Sequence, residues 1–139
     1  MIHPIRVIFG DTDQMGVVYY GNYLRFFEAS RAALLRFCGK SHKDLDAWGV
    51  ALPVVEAHCK YGRTAHYEDL LEVDVTVGLV RGASMRFDYA ITRGTDAIAT
   101  GWTRHAAIGP NGRPRPLPAE FVAVLGSAAA RTPGLGPGY

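Results

Sequence analysis

Cysteine is almost missing from this chain: of 139 residues only Cys38 and Cys59 carry a thiol, enough for one bridge at most. That excludes a small secreted scaffold stapled by several disulfides, and both residues read as reduced, buried thiols. An excess of charge is missing too. Fifteen Lys and Arg against thirteen Asp and Glu leave a formal charge of +2, and the basic residues are spread out rather than gathered into a tract. Nucleic-acid binding normally shows a basic stripe or a base-stacking motif, so none is expected here. Long hydrophobic runs are absent: the longest fall well short of the ~20 residues that a membrane span needs. Met1-Ile2-His3-Pro4 lacks the basic stretch and apolar h-region of a secretory leader. The expectation is a cytosolic chain with no membrane span. No repeat is visible at periods of about 20 to 50 residues.

What is present is the balance of a globular domain, 48% hydrophobic and 20% charged. The length suits one domain with a real core. We assign it to residues 1–126 and give 127–139 to a C-terminal tail. The end of that tail, RTPGLGPGY from Arg131 to Tyr139, is mostly Gly and Pro with little to pack, and is expected to be disordered.

Ile5, Val7 and Phe9 suggest a short first strand that Pro4 keeps from extending back. Asn22 to Cys38 reads as a helix, with Tyr23, Phe27, Leu34 and Cys38 on one side and Arg25, Glu28 and Arg36 on another. Asn22 is its N-cap candidate and Gly39 its C′ glycine. A shorter helix is expected over Ser41 to Trp48, with Ser41 and Asp44 placed as in a capping box and Gly49 as the stop. The period then changes to two. Val55 to Tyr61, Leu71 to Leu79, Met85 to Thr92 and Ile98 to Ile108 read as strands. Gly82 and Gly94-Thr95-Asp96 turn the chain between them, and Gly109-Pro110-Asn111-Gly112 closes the last. Hairpin-length links make the sheet antiparallel: an α+β domain of five strands with one long helix on one face. Phe26, Phe27, Leu34, Leu35 and Phe37 make that helix apolar beyond a single stripe, as burial on several sides requires.

The stretch FGDTDQMGVVYYGNYLRFFE, Phe9 to Glu28, carries the chemistry. Asp11, Asp13 and Gly16 imitate the opening of a calcium loop, but Met15 and Asn22 stand where a hard cation needs oxygen ligands. An Asp-x-Asp phosphoryl-transfer site would need further carboxylates and a lysine on a parallel sheet, and the later strands read as hairpins. A third reading uses the helix. Its free N–H groups, reached through a turn at Gly16, form a partly positive pocket for a developing oxyanion. Asp13, close by in sequence, could then attack an activated acyl group or deprotonate water. The plain alternative is that either aspartate only caps a turn or the helix.

The run DTDQMGVVYYGNYLRFFE resembles the 4-hydroxybenzoyl-CoA thioesterase family of hotdog-fold acyl-CoA thioesterases, whose motif is Asp-x-Asp-x-x-Gly-x-Val-(Tyr/Trp)-(His/Tyr)-x-x-Tyr. ALPVVEAHCKYGRTAHYEDLLEVDV and the hairpin after it look like the same family, so the resemblance covers Ile5 to Ile108. It implies a hotdog fold, an antiparallel five-stranded sheet wrapped around one long central helix. It implies hydrolysis of a small or medium acyl- or aroyl-CoA thioester, with water as second substrate and no cofactor or metal. By this resemblance Asp13 is the catalytic carboxylate, nucleophile or general base, and the Tyr20 N–H is the oxyanion donor. Gly16 lets the loop pass close to the substrate, with Val17, Tyr19 and Tyr23 beside it. Many relatives of the Tol-Pal-associated type have His where this chain has Tyr20, while the aromatic-acyl enzyme has Tyr, which favours an aryl or bulkier acyl pocket. Family members are dimers or tetramers with sites at subunit interfaces, so the strand Val54 to Tyr61 is expected to reach a neighbour's acyl pocket with Glu56 and Tyr61, His58 being an ordinary sheet residue. Arg81 and Arg63 are the candidates for the CoA phosphates. Two rivals remain: a hotdog enoyl-CoA hydratase, and a module that binds acyl-CoA or acyl-carrier protein without hydrolysis.

Overall fold

Alternation of Leu71, Val73 and Val75 with Glu72, Asp74 and Thr76 produces the strand that organises the sheet. In the computed structural model, which describes residues 1–39 and 42–129, this strand runs Leu70–Arg81, and its three inward residues are fully buried. Numbered along the chain, the strands are β1 (Ile2–Arg6), β2 (Val54–Tyr61), β3 (Leu70–Arg81), β4 (Ser84–Arg93) and β5 (Asp96–Ala106). Their order is β1-β3-β4-β5-β2, with every neighbouring pair antiparallel. The helices are α1 (Asn22–Phe37), α2 (His42–Ala47) and α3 (Ala119–Ala129).

α1 lies in the curve of the sheet. It touches β1, β2 and β3, its Phe27 ring stacks on Tyr89 of β4 at 4.2 Å, and the same ring sits against Gly101 of β5. Phe26, Phe27, Ala33, Leu34 and Leu35 are buried, whereas Arg25, Glu28 and Arg36 face outward. Each large side chain so buried contributes about 1.5–3 kcal/mol. The helix ends as expected, with Gly39 at φ +70° donating its N–H to the Arg36 carbonyl.

Several expectations need correction. β1 starts at Ile2 and passes through Pro4, and it stops at Arg6 rather than Phe9. Proline is tolerated because β1 is an edge strand. Met1 and Val75 exchange backbone bonds, so Pro4, opposite Glu72, falls at a position that owes β3 no N–H. Leu79 is 58% exposed, because a register shift between Val77 and Val80 breaks the alternation and turns Val80 inward instead. The N-cap of α1 is Gly21, while Asn22 sends its amide back to the Asp11 carbonyl at 2.8 Å. For α2 the Gly49 stop holds, at φ +69°, but Ser41 lies outside the described residues. Finally, α3 was not anticipated. Pro118 precedes it, and Phe121 and Leu125, one turn apart, are fully buried beneath it. α3 carries the chain through Ala129, three residues into the segment assigned to the tail, and residues 130–139 lie outside the described part.

Candidate active site

Between β1 and α1 the chain makes a 3-10 turn, Phe9–Asp11, and then a tight loop closed by a bridge between Thr12 and Val18. Asp11 is 3% exposed and organises this passage. Its carboxylate accepts the Ile8 N–H at 3.0 Å and the Arg25 guanidinium, and its carbonyl accepts the Tyr19 N–H at 2.9 Å. One aspartate thus fastens the turn to the first turn of α1.

Asp13 is placed differently. Its N–H and carbonyl close the loop through Val17 and Gly16, both at 2.9 Å, and one carboxylate oxygen accepts the Met15 N–H at 2.9 Å. Among the described residues no other group bonds to that carboxylate. Gly16 has φ +78°, a conformation that favours glycine, and space is open where a side chain would stand. The two aspartates therefore do not converge as cation ligands, and among the described residues no three His, Cys, Asp or Glu side chains group as a metal site.

Six residues expected at the site, Asp13, Val17, Tyr20, Tyr23, Tyr61 and Arg63, line one cavity of about 220 Å³. Met15, Val18, Gly62 and Thr64 complete its wall. These four were missed because they sit in loops, where no periodicity marks them. Tyr20 stands just before the α1 N-cap, and among the described residues nothing accepts its N–H. The tyrosines form a wall: Tyr61 meets Tyr20 edge-on at 6.2 Å and Tyr23 at 5.3 Å. The Tyr61 hydroxyl donates to the Tyr20 carbonyl at 3.1 Å. Partial burial, then the Cys59 thiol and the neighbouring phenols, push its hydroxyl up to about 12, so it stays a proton donor at neutral pH. Burial likewise raises Tyr23, against the opposing pull of a backbone hydrogen bond from Ala65.

Other expected residues stand apart. Gly16 is at the loop tip, and Tyr19, 46% exposed, leans on the Tyr20 ring at 4.8 Å. Glu56 pairs with Arg104 of β5, and Arg81 sits exposed at the end of the β3–β4 hairpin opposite Ser84; neither lines this cavity. His58 stacks on Trp102 at 5.7 Å, as an ordinary sheet residue would. Tyr61, expected to reach a neighbour's pocket, lines the cavity of its own chain.

A carboxylate, an unengaged N–H before a long helix and an aromatic wall are the parts that acyl transfer needs. A profile of the thioesterase-like superfamily matches residues 7–125, most of the described chain. The chain belongs to this superfamily. Its sheet and helices match those of hotdog thioesterases in crystal structures. A hypothetical protein from Aquifex aeolicus is 30% identical, over 90% of this chain and 98% of that one, with a TM-score of 0.86. Among curated relatives of this thioesterase, the acyl-CoA thioester hydrolase YbgC of Escherichia coli O6:H1 is 34% identical over 68% of this chain and 71% of its own length. A 1,4-dihydroxy-2-naphthoyl-CoA hydrolase from Synechococcus elongatus is 32% identical over 81% and 86%. No described helix of the thioesterase is long and apolar enough to cross a membrane.

Proposed function

We propose that this thioesterase hydrolyses an acyl-CoA thioester, with Asp13 as its catalytic carboxylate and the Tyr20 N–H as oxyanion donor. The observation that carries the reading is that Asp13 and Tyr20 line one cavity beside the start of α1. The thioester carbonyl would accept the Tyr20 N–H, where the helix dipole adds partial positive charge. Asp13 then either attacks the carbonyl carbon, giving an acyl-enzyme anhydride that water hydrolyses, or takes a proton from water as the water attacks. In both routes the C–S bond breaks and CoA leaves as thiolate, a leaving group that needs no strong acid. The names of the curated relatives support an acyl-CoA substrate, and the tyrosine wall together with the dihydroxynaphthoyl-CoA hydrolase supports a planar or bulky acyl group.

About 220 Å³ is small beside the 300–1,000 Å³ usual for ligand sites, so we infer that a second copy of the chain completes the pocket. β2 is an edge strand, with Val54 and Val55 45% and 47% exposed, which supports an oligomer built there. A cytosolic location accords with Cys38 and Cys59 standing as thiols rather than in a disulfide.

Thiol release over acetyl-, hexanoyl- and benzoyl-CoA tests the reading. Asp13→Asn should fold normally and lose roughly two to four orders of magnitude in kcat, whereas Asp11→Asn should lose far less kcat and more stability. Near-wild-type hydrolysis by Asp13→Asn would sink the assignment. Single turnover in ¹⁸O-water probes the route: label in the Asp13 carboxylate shows the nucleophilic one with water attacking the anhydride at the Asp13 carbon, whereas attack at the acyl carbon, like the general-base route, labels only the released acid.

A further inference from the structure

The wall facing Asp13 is a loop, Gly62 to Asp69, between β2 and β3. It supplies Gly62, Arg63 and Thr64 to the cavity, and its Ala65 carbonyl accepts the Val18 N–H at 2.8 Å. Val18 closes the Asp13 loop through its bridge to Thr12. Ala65 therefore joins this loop to the backbone that carries Asp13. The loop is also strained at Glu68, the only described non-glycine residue with positive φ, at +72°.

One side chain from elsewhere in the fold holds this loop. Arg93, at the end of β4, donates from Nη1 to the Thr64 carbonyl at 3.0 Å and to the Asp69 carboxylate at 2.7 Å. Its Nη2 donates to Asp96, at the start of β5, at 3.0 Å. The guanidinium thus spans both arms of the loop and ties them to the β4–β5 turn. The planar fork of arginine can satisfy three acceptors in fixed directions, which a lysine ammonium on a flexible stem cannot. The Arg93 side chain is only 26% exposed. Arg93 itself does not line the cavity, so it acts through the loop.

We propose that Arg93 is a positioning residue for the thioesterase reaction: by clamping Thr64 and Asp69 it sets the wall opposite Asp13 and, through Ala65 and Val18, the Asp13 loop itself. The proposal rests on the reading of Asp13 given above.

Two measurements on the full-length protein test it. The first needs no substrate. Hydrogen exchange in Arg93→Ala should quicken at the Val18 amide and across 62–69, while β3 and β4 amides on the far side of the sheet keep their protection. The second is steady-state hydrolysis of benzoyl-CoA and hexanoyl-CoA. Arg93→Ala should lose at least about tenfold in kcat/KM, because small misplacements of reacting groups are costly. Arg93→Lys should recover only part of the loss, and added guanidinium chloride at millimolar concentration should partly rescue Arg93→Ala. Arg115→Ala, which removes bonds to the Trp48 and Gly49 carbonyls away from this cavity, should behave as wild type in both assays. Unchanged exchange at Val18 overturns the role of Arg93 and leaves Asp13 untouched. Quickened exchange with unchanged kcat/KM overturns it as well. Wild-type hydrolysis by Asp13→Asn overturns instead the reading of the site on which the role depends.

Discussion

Two aspartates two positions apart occupy opposite environments in this chain. Asp11 is buried and spends both carboxylate oxygens on the turn and on Arg25, while Asp13 spends one on its own loop. The resemblance had already singled out Asp13 for the chemistry, and the burial pattern adds that Asp11 is a fastening while Asp13 keeps an oxygen that no described group engages. A third aspartate, Asp69, carries a pH dependence. Burial alone would raise its carboxyl, but the Arg93 guanidinium and the His66 N–H outweigh burial and hold it below the usual carboxylate range. A carboxyl with a lowered folded value stabilises the fold fully above the unfolded value of about 4 and loses that contribution as pH falls through the folded value. We therefore expect the urea midpoint to decline with pH below about 4. Asp69→Asn should flatten part of that decline, and identical pH profiles for the two proteins would remove this carboxyl from the account.

Elements followed their periodicity where one face was buried and departed from it at edges. α1 and β3 were legible because Phe27, Leu34, Leu71 and Val73 recur at the helix and strand periods and all are buried. β1 was misjudged at Pro4 because an isolated sequence does not reveal which strand lies at an edge. β2 alternates cleanly yet is exposed along nearly its whole length, since strand order leaves it at the other rim. Contact between α1 and β5 depends on Gly101. A Cβ there would lie 2.2 Å from the His58 carbonyl oxygen and 2.7 Å from the Phe27 ring. Gly101→Ala should cost about 1–3 kcal/mol through overpacking, read as a lower thermal midpoint. An unchanged midpoint would mean that α1 can shift off the sheet freely.

At the scale of the molecule, the cavity gathers residues far apart in the chain: Asp13 from the first loop, Tyr23 from α1, and Tyr61 to Thr64 from the end of β2 and beyond. If a second copy completes it across β2, Val54→Asp with Val55→Asp should shift the protein toward monomer in sedimentation analysis and reduce hydrolysis with it. A fully active monomer would show that one chain suffices.

Residue order determined the strand and helix periods, the turn glycines and the Asp13-to-Tyr20 spacing, because each is a local property of the chain. The motif from Asp11 to Tyr23, with the segments that follow it, also carried the thioesterase resemblance. Which strands became edges, which aspartate was buried, and that Arg93 meets Thr64 and Asp69 were decided only by the tertiary structure. These depend on strand order and on contacts between segments tens of residues apart, and no local pattern encodes them.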